Sequence, residues 1–256
     1  MTHAAPLGES SIEPISRQPP LTPRPAVLRM RWARLGALHW RVPASQVQRM
    51  LPDGLTVDTH DGSAWVGLLP FEMRDVRPAG LPPVVPWIGD FPETNVRTYV
   101  TTATGERGVY FHSLEASRLG AVLVARGAFR LPYMWARMSV TTSPGRIRWT
   151  STRRWPAPRG ARTDVALRIG RLLPAEELTP LDDFLTARWR FLDAWGGRVA
   201  MAPMHHEAWP LHEATVEHLD DELLAAAGYG DLAGHAPDVV RFSPGVDVTG
   251  GMARRL

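Results

Sequence analysis

From residue 27 onward the chain breaks into short apolar-rich runs separated by turn residues, and that punctuation constrains the fold more than any other feature. Residues 27–42 read as a strand that ends at Pro43, and a short helix over 44–50 precedes the turn Leu51-Pro52-Asp53-Gly54. Runs at 55–59 and 63–73 flank His60-Asp61-Gly62, and Asp-Gly between apolar runs is a strong hairpin signal. Runs at 95–102 and 108–114 flank Gly105-Glu106-Arg107, a second hairpin. Residues 117–129 read as a helix, followed by strands at 132–142, 146–155 and 163–172. The spacing of Leu181, Phe184, Leu185, Phe191, Leu192 and Trp195 predicts one helix over 181–195, interrupted only by Arg188. A strand at 198–209, a short helix at 220–227 and a strand at 238–248 complete the order. Strands joined by hairpins pair antiparallel. The expected fold is therefore α+β, a mainly antiparallel barrel or sandwich with a few peripheral helices.

Residues 1–26 are rich in Pro, Ser and Thr and poor in large apolar side chains, so they are expected to form a flexible tail ahead of a single domain over 27–256. The first 26 residues lack a basic segment followed by an apolar run, and no apolar stretch is long enough to span a bilayer; the expectation is a cytoplasmic protein without a membrane partner. Cysteine is absent, which excludes disulfides and thiolate zinc sites. All 29 basic residues are arginine. With no lysine, Schiff-base chemistry on a side-chain amine is excluded, because a guanidinium stays protonated and is not nucleophilic.

Two stretches concentrate candidate chemistry. In Phe91-Pro-Glu-Thr-Asn-Val-Arg-Thr-Tyr-Val100, strand alternation places Glu93, Asn95, Arg97 and Tyr99 on one face, with Val96, Thr98 and Val100 opposite. A carboxyl, an amide, a guanidinium and a phenol in register form a polar wall suited to a carboxylate or carbonyl ligand. A strand with a half-solvated outer face shows the same alternation. In Pro132-Tyr-Met-Trp-Ala-Arg137, Tyr133, Trp135 and Arg137 share a face in the same way, as wall of a site or as core and rim. His205 and His206 are adjacent and point to opposite faces of a strand, and no His-x-x-x-His pattern exists, so no metal site is expected. A phosphate-binding glycine loop is missing; Gly196-Gly197 and Gly250-Gly251 read as turns or termini. Gly-x-Ser-x-Gly is also absent, which argues against an α/β-hydrolase. Eight arginines between Arg146 and Arg171, interleaved with Trp149 and Trp155, resemble a nucleic-acid surface only in composition. Without a recognition motif, a solvated hairpin with one inward arginine is the better reading, and no nucleic-acid partner is expected.

Several motifs resemble one family in order along residues 28–248. His39-Trp-Arg-Val-Pro43, Leu51-Pro-Asp-Gly-Leu55, Asp61-Gly-Ser-Ala-Trp-Val-Gly67, Pro70-Phe-Glu-Met-Arg74, Asn95-Val-Arg-Thr-Tyr-Val100, Leu131-Pro-Tyr133, Trp209-Pro-Leu211 and Ser243-Pro-Gly-Val-Asp-Val248 resemble the uncharacterised DUF2071 (YqjF-like) family. Arg241-Phe242 departs from it, standing where relatives carry His-Tyr. That family is in turn similar to acetoacetate decarboxylase, which implies a cone-shaped antiparallel β-barrel around a cavity and self-association into a homo-oligomer. The decarboxylase motif Tyr-Pro-Lys-Lys resembles Leu131-Pro132-Tyr133-Met134, with Tyr and Met in place of the lysines. Glu93 matches a glutamate of the decarboxylase cavity strand, and His206-Glu207-Ala208-Trp209 resembles a run in those enzymes.

The resemblance implies a retained pocket and a lost nucleophile, so acetoacetate decarboxylase activity is not expected. The leading expectation is a small organic acid or carbonyl compound bound in the cavity, with lysine-independent lyase, hydratase or isomerase chemistry and no cofactor. Glu93 and Tyr133 are the expected catalytic pair, and Asn95, Arg97, Tyr99, Trp135, Arg137 and His206 the expected ligand contacts. A non-catalytic binding or sensory module using the same pocket remains open. So does an interaction protein working through the arginine-rich hairpin.

Overall fold

The computed structural model describes residues 12–82, 89–128, 130–195 and 198–256. Of the expected tail, residues 1–11 lie outside that set. Residues 12–25, also expected to be free, are attached to the domain. Glu13 accepts from Arg107 and Arg190, the Glu13 carbonyl takes the Arg107 Nε–H at 2.8 Å, and Ile15 packs on the core. Arg17 ties the segment to Asp183 and to the carbonyls of Ala175 and Leu178. Two guanidinium clamps therefore hold a stretch that its apolar content would not.

Strands dominate: β1 Ala26–Val42, β2 Leu55–Val57, β3 Ala64–Pro78, β4 Phe91–Thr102, β5 Arg107–Ala116, β6 Tyr133–Ser143 and β7 Arg146–Trp155, then β8 Arg162–Leu172, β9 Arg190–Trp195, β10 Arg198–His206, β11 His212–Asp221, β12 Val239–Gly251 and β13 Arg254–Arg255. The described α-helices are short: α1 Ala44–Gln48, α2 Leu119–Ala128, α3 Pro180–Thr186 and α4 Leu223–Ala226. No helix among the described residues is long and apolar enough to cross a membrane.

The thirteen strands form one sheet in the order β13-β10-β9-β5-β6-β7-β8-β11-β12-β1-β3-β4-β2, with β10–β12 and β5–β4 as further pairings. Those two extra ladders return the sheet to strands already in it, so the hydrogen-bonded order closes on itself twice. One circuit runs β5-β9-β10-β12-β1-β3-β4; the other runs β5-β6-β7-β8-β11-β12-β1-β3-β4. Most pairs are antiparallel, but β5–β6 and β5–β9 are parallel, so the sheet is mixed. The cause is local for β6: it follows β5 through the crossover helix α2, and a crossover returns a strand in the same direction.

Of the strands shared by both circuits, β3 is buried on both faces over most of its length. Along β3 every residue from Ala64 to Met73 is buried. Its Trp65, Leu69, Phe71 and Met73 enter one core with Met30 and Trp32 of β1. Ala64, Val66 and Leu68 enter a second core with Leu38, Trp40 and Trp149.

Local differences from the sequence reading have physical causes. The Asp61-Gly62 turn is real, with φ of 49° and 73° closing a His60↔Ser63 bridge, but β2 pairs with β4 instead of β3. The expected helix 181–195 splits into α3 and β9. Arg188 lies at the break, buried, donating to the Phe184 carbonyl at 2.7 Å and to Asp58 at 2.6 Å, and the chain leaves the helix there to join β10. Strand β11 was not expected at all; its sequence is mostly polar because one side faces solvent. Gly250 and Gly251 lie within β12, paired with β1, and are not a turn; Gly196-Gly197 and Phe129 lie outside the described residues.

Candidate functional site

Strand β4 runs in unbroken register with β3, so its odd-numbered side chains keep one face, toward the core that holds Phe91 and Tyr99. Against β5 the register slips between Val96 and Arg97, which puts the extra residue, His112, on β5 and leaves the β4 face intact. Glu93 lies opposite Ala116 of β5, and Tyr133 opens β6 beside Leu114 of the same strand. The Tyr133 hydroxyl donates to Glu93 Oε2 at 2.9 Å. The Arg126 guanidinium of α2 holds the Tyr133 carbonyl at 2.7 Å, so the crossover helix pins the start of β6.

The Glu93–Tyr133 pair is buried, with Glu93 only 2% exposed. No arginine contacts Glu93. Burial, offset in part by the Tyr133 hydrogen bond, pushes its carboxyl up to about 8, so it is largely a neutral acid at pH 7. Burial, with the carboxyl beside it, also drives Tyr133 well above the ordinary phenol value. Tyr133 and Trp135 line a cavity of about 670 Å³, together with Trp32, Met73, Phe91 and Leu131; Glu93 reaches it through Tyr133.

Further along the β4 face, Arg97 and Tyr99 are held elsewhere. Both donate to the Leu185 carbonyl, at 3.1 and 3.0 Å, and Arg97 also donates to the Tyr99 hydroxyl at 3.2 Å. His39 Nε2 lies 2.7 Å from the same hydroxyl. With the phenol proton on Leu185, His39 is the donor in that contact and Nδ1 is left buried without a partner. Burial and the charges of Arg97 and Arg241 push His39 well below the ordinary imidazole value, so it is neutral. Between the two groups sits Asn95, 5% exposed, its Oδ1 without a partner.

His206 is buried among Trp32, Trp189 and Trp209, with Nδ1 2.7 Å from the Glu207 carbonyl; it stands behind Trp32 and is not part of the lining. Arg137 differs from expectation. It shares strand parity with Tyr133 and Trp135, but β6 has by then run past the cavity and Arg137 is exposed. Sequence reasoning missed most of the hydrophobic wall, including Met30, Trp32, Met73 and Met204. Strand periodicity marks these positions as buried and cannot mark the space beside them.

The arginine-rich hairpin has one inward member, as expected. Arg153 forms an ion pair with Glu115 at 2.6 Å inside the second core, the two side chains 2% and 0% exposed. Outside, Arg148 pairs with Asp164, Arg146 with Glu217, Arg162 with Asp220 and Arg171 with Glu177. This surface is a neutralised ladder. Among the described residues no three His, Asp or Glu side chains converge in a way that could hold a metal ion.

The mostly β, mixed sheet has a fold shared with solved acetoacetate decarboxylase-like enzymes. Three solved structures of that kind align over nearly the whole chain. An acetoacetate decarboxylase-like enzyme from Sphingomonas wittichii has a TM-score of 0.61 and 15% identity, covering 90% of this chain and 93% of its own. The enduracididine biosynthesis enzyme MppR, complexed with pyruvate, has a TM-score of 0.60 and 14% identity over 92% and 91%. An acetoacetate decarboxylase from Legionella pneumophila has a TM-score of 0.61 and 13% identity over 100% and 98%. At such identities the likeness is one of fold. The chain itself belongs to the DUF2071 family of uncharacterized conserved proteins, which it matches over residues 29–247. It is 35% identical over 191 residues to the uncharacterized protein YqjF of Bacillus subtilis, spanning 75% of this chain and 77% of that one.

Proposed function

We propose that this chain is a cytoplasmic protein that binds a small organic acid or carbonyl compound in the cavity of a barrel-like sheet and acts on it without a covalent amine. The observation that carries this reading is the Glu93–Tyr133 pair: a carboxyl held neutral by burial, hydrogen-bonded to a phenol that lines the cavity. Glu93 is not itself in the lining, so Tyr133 would present the pair to a ligand, its hydroxyl turning its proton to the ligand oxygen and accepting the Glu93 proton in its place. As that oxygen gains negative charge, Glu93 gives up its proton and later recovers it, which is the general-acid role of a lyase, hydratase or isomerase. A relative in fold, MppR, has been solved with pyruvate, which supports a carbonyl compound as the kind of ligand this scaffold takes.

A second reading is a non-catalytic binding or sensory module. The locking of Arg97 and Tyr99 on Leu185 favours it, since it leaves the cavity with few polar groups to carry chemistry. Both readings are tested with Glu93→Gln, which keeps shape and a partner for Tyr133, and with Tyr133→Phe. Binding is followed by calorimetry and turnover of carbonyl compounds by NMR. An enzyme loses about 10²–10⁴-fold in turnover in Glu93→Gln while keeping affinity within a few-fold. A binding module shows affinity and no turnover in any form. Unchanged affinity and turnover in both variants would show that the pair is not the site.

A further inference from the structure

The wall of the cavity says more about its occupant than the polar pair does. Of its lining, Arg118 and Asp193 alone carry charge, and Arg118 is exposed just before α2. The remaining wall is dominated by aromatic and aliphatic side chains from β1, β3, β4, β6, β10 and α2. Four methionines take part: Met30, Met73, Met201 and Met204. Methionine is the most adaptable of apolar side chains and suits a surface that must mould to a flexible hydrocarbon. Helix α2 and β10 contribute small residues, Ala121, Ala125, Ala200 and Ala202, which leave the space open. A volume of about 670 Å³ falls in the range of sites for drug-sized molecules.

A two- to four-carbon keto acid fits this wall poorly for two reasons. It leaves most of the apolar surface wet, and at the Glu93–Tyr133 pair its carboxylate meets a buried acid and a phenol instead of a cation. Resting on the reading of Glu93–Tyr133 given above, we propose that the ligand is predominantly apolar. It would be a hydrophobic carbonyl compound whose oxygen meets the Glu93–Tyr133 pair and whose hydrocarbon body, of about eight carbons or more, fills the methionine-rich cavity. An ionised group, where such a ligand has one, would lie at the mouth near Arg118.

The test is a homologous series of methyl ketones, butan-2-one to decan-2-one, titrated into the full chain by calorimetry, with fluorescence of the lining Trp32 and Trp135 as a second readout. Pyruvate and acetoacetate are run beside them. The dissociation constant is expected to fall about fourfold per added methylene until the chain fills the cavity. Ala202→Phe, checked for folding by circular dichroism, is expected to weaken the longest ketone at least tenfold and leave the shortest unchanged. The same series in Glu93→Gln and Tyr133→Phe, followed for binding and turnover, separates the two proposals. A chain-length gain with affinity and turnover both unchanged in Glu93→Gln and Tyr133→Phe leaves the apolar class standing and overturns the head-group reading. Tight binding of the keto acids with no chain-length gain, with affinity lost in Tyr133→Phe or turnover lost in Glu93→Gln, overturns the apolar class and leaves the head-group reading. Failure of every ligand to bind overturns both.

Discussion

Glu93 is the residue at which burial has its clearest chemical consequence. A carboxyl with one neutral hydrogen bond and no cation in contact is cheaper to bury protonated than ionised, and its pKa rises from 4.5 to about 8. Between those values the folded protein holds a proton that the unfolded chain has released, so unfolding releases it and rising pH favours unfolding. The stabilising contribution is full below pH 4.5 and is lost as pH rises through 8. Buried His39, His112 and His206 are all pushed below the ordinary imidazole value, and their opposing effect is felt below about pH 6.5. Burial also raises the carboxyls of Glu115 and Asp221, and comparison with Glu93→Gln between pH 6.5 and 8 isolates the part of Glu93. There, urea denaturation is expected to show wild-type stability falling by up to about 1.4 kcal/mol per pH unit relative to Glu93→Gln. Parallel pH profiles for the two proteins would show that Glu93 is ionised in the fold. The placement of Glu93 and Tyr133 was readable from alternation and from motif resemblance. The fate of Arg97, Tyr99 and Arg137 was not, because a shared strand face does not say whether a cavity, a main-chain carbonyl or solvent lies beyond it.

At the scale of elements, the clearest constraint is where β12 crosses β1. Gly245 has φ +123°, and a Cβ there would lie 2.1 Å from the Trp32 carbonyl oxygen. Trp32 in turn faces the cavity and stacks on Trp209 and Phe191. Gly245→Ala is therefore expected to cost more than about 3 kcal/mol, through backbone strain and a displaced ladder, and to shift Trp32 fluorescence. A thermal melt within 2–3 °C of wild type (about 1 kcal/mol) would contradict it. Hairpin and helix signals were readable where both partners are local, as at Gly105-Glu106-Arg107 between β4 and β5. They misled where the partner is remote. Leu181, Phe184 and Leu185 do form a helical stripe, but Phe191 and Leu192 are strand residues, Leu192 paired with Met201 of the next strand and Phe191 with Val109 of β5 far back in the chain. Long-range pairing there overrides local propensity.

On the scale of the whole molecule, β1, β3, β4, β5 and β12 belong to both closed circuits, so neither core can open without breaking a wall of the other. Leu68 and Leu69 are adjacent on β3 and buried in different cores. Leu68→Ala and Leu69→Ala are each expected to cost about 2–5 kcal/mol. Each should move one shared transition, with far-ultraviolet circular dichroism and tryptophan fluorescence giving the same midpoint. Separate transitions in which each variant shifts only one would show that the circuits unfold independently.

The sequence by itself determined most of the segments that become strands, β9 and β11 excepted, and that no lysine is available for covalent chemistry. Those properties depend on each residue and its near neighbours: side-chain period, turn chemistry and functional group. Only the tertiary structure decided that the ladder closes twice, that Arg188 finds Asp58 and Arg153 finds Glu115, and that an apolar cavity opens beside a carboxyl held neutral by burial. Ring closure, ion pairing across 38 and 130 residues, and the desolvation of a single carboxyl are set by what the fold brings together. Local sequence carries no direct record of them.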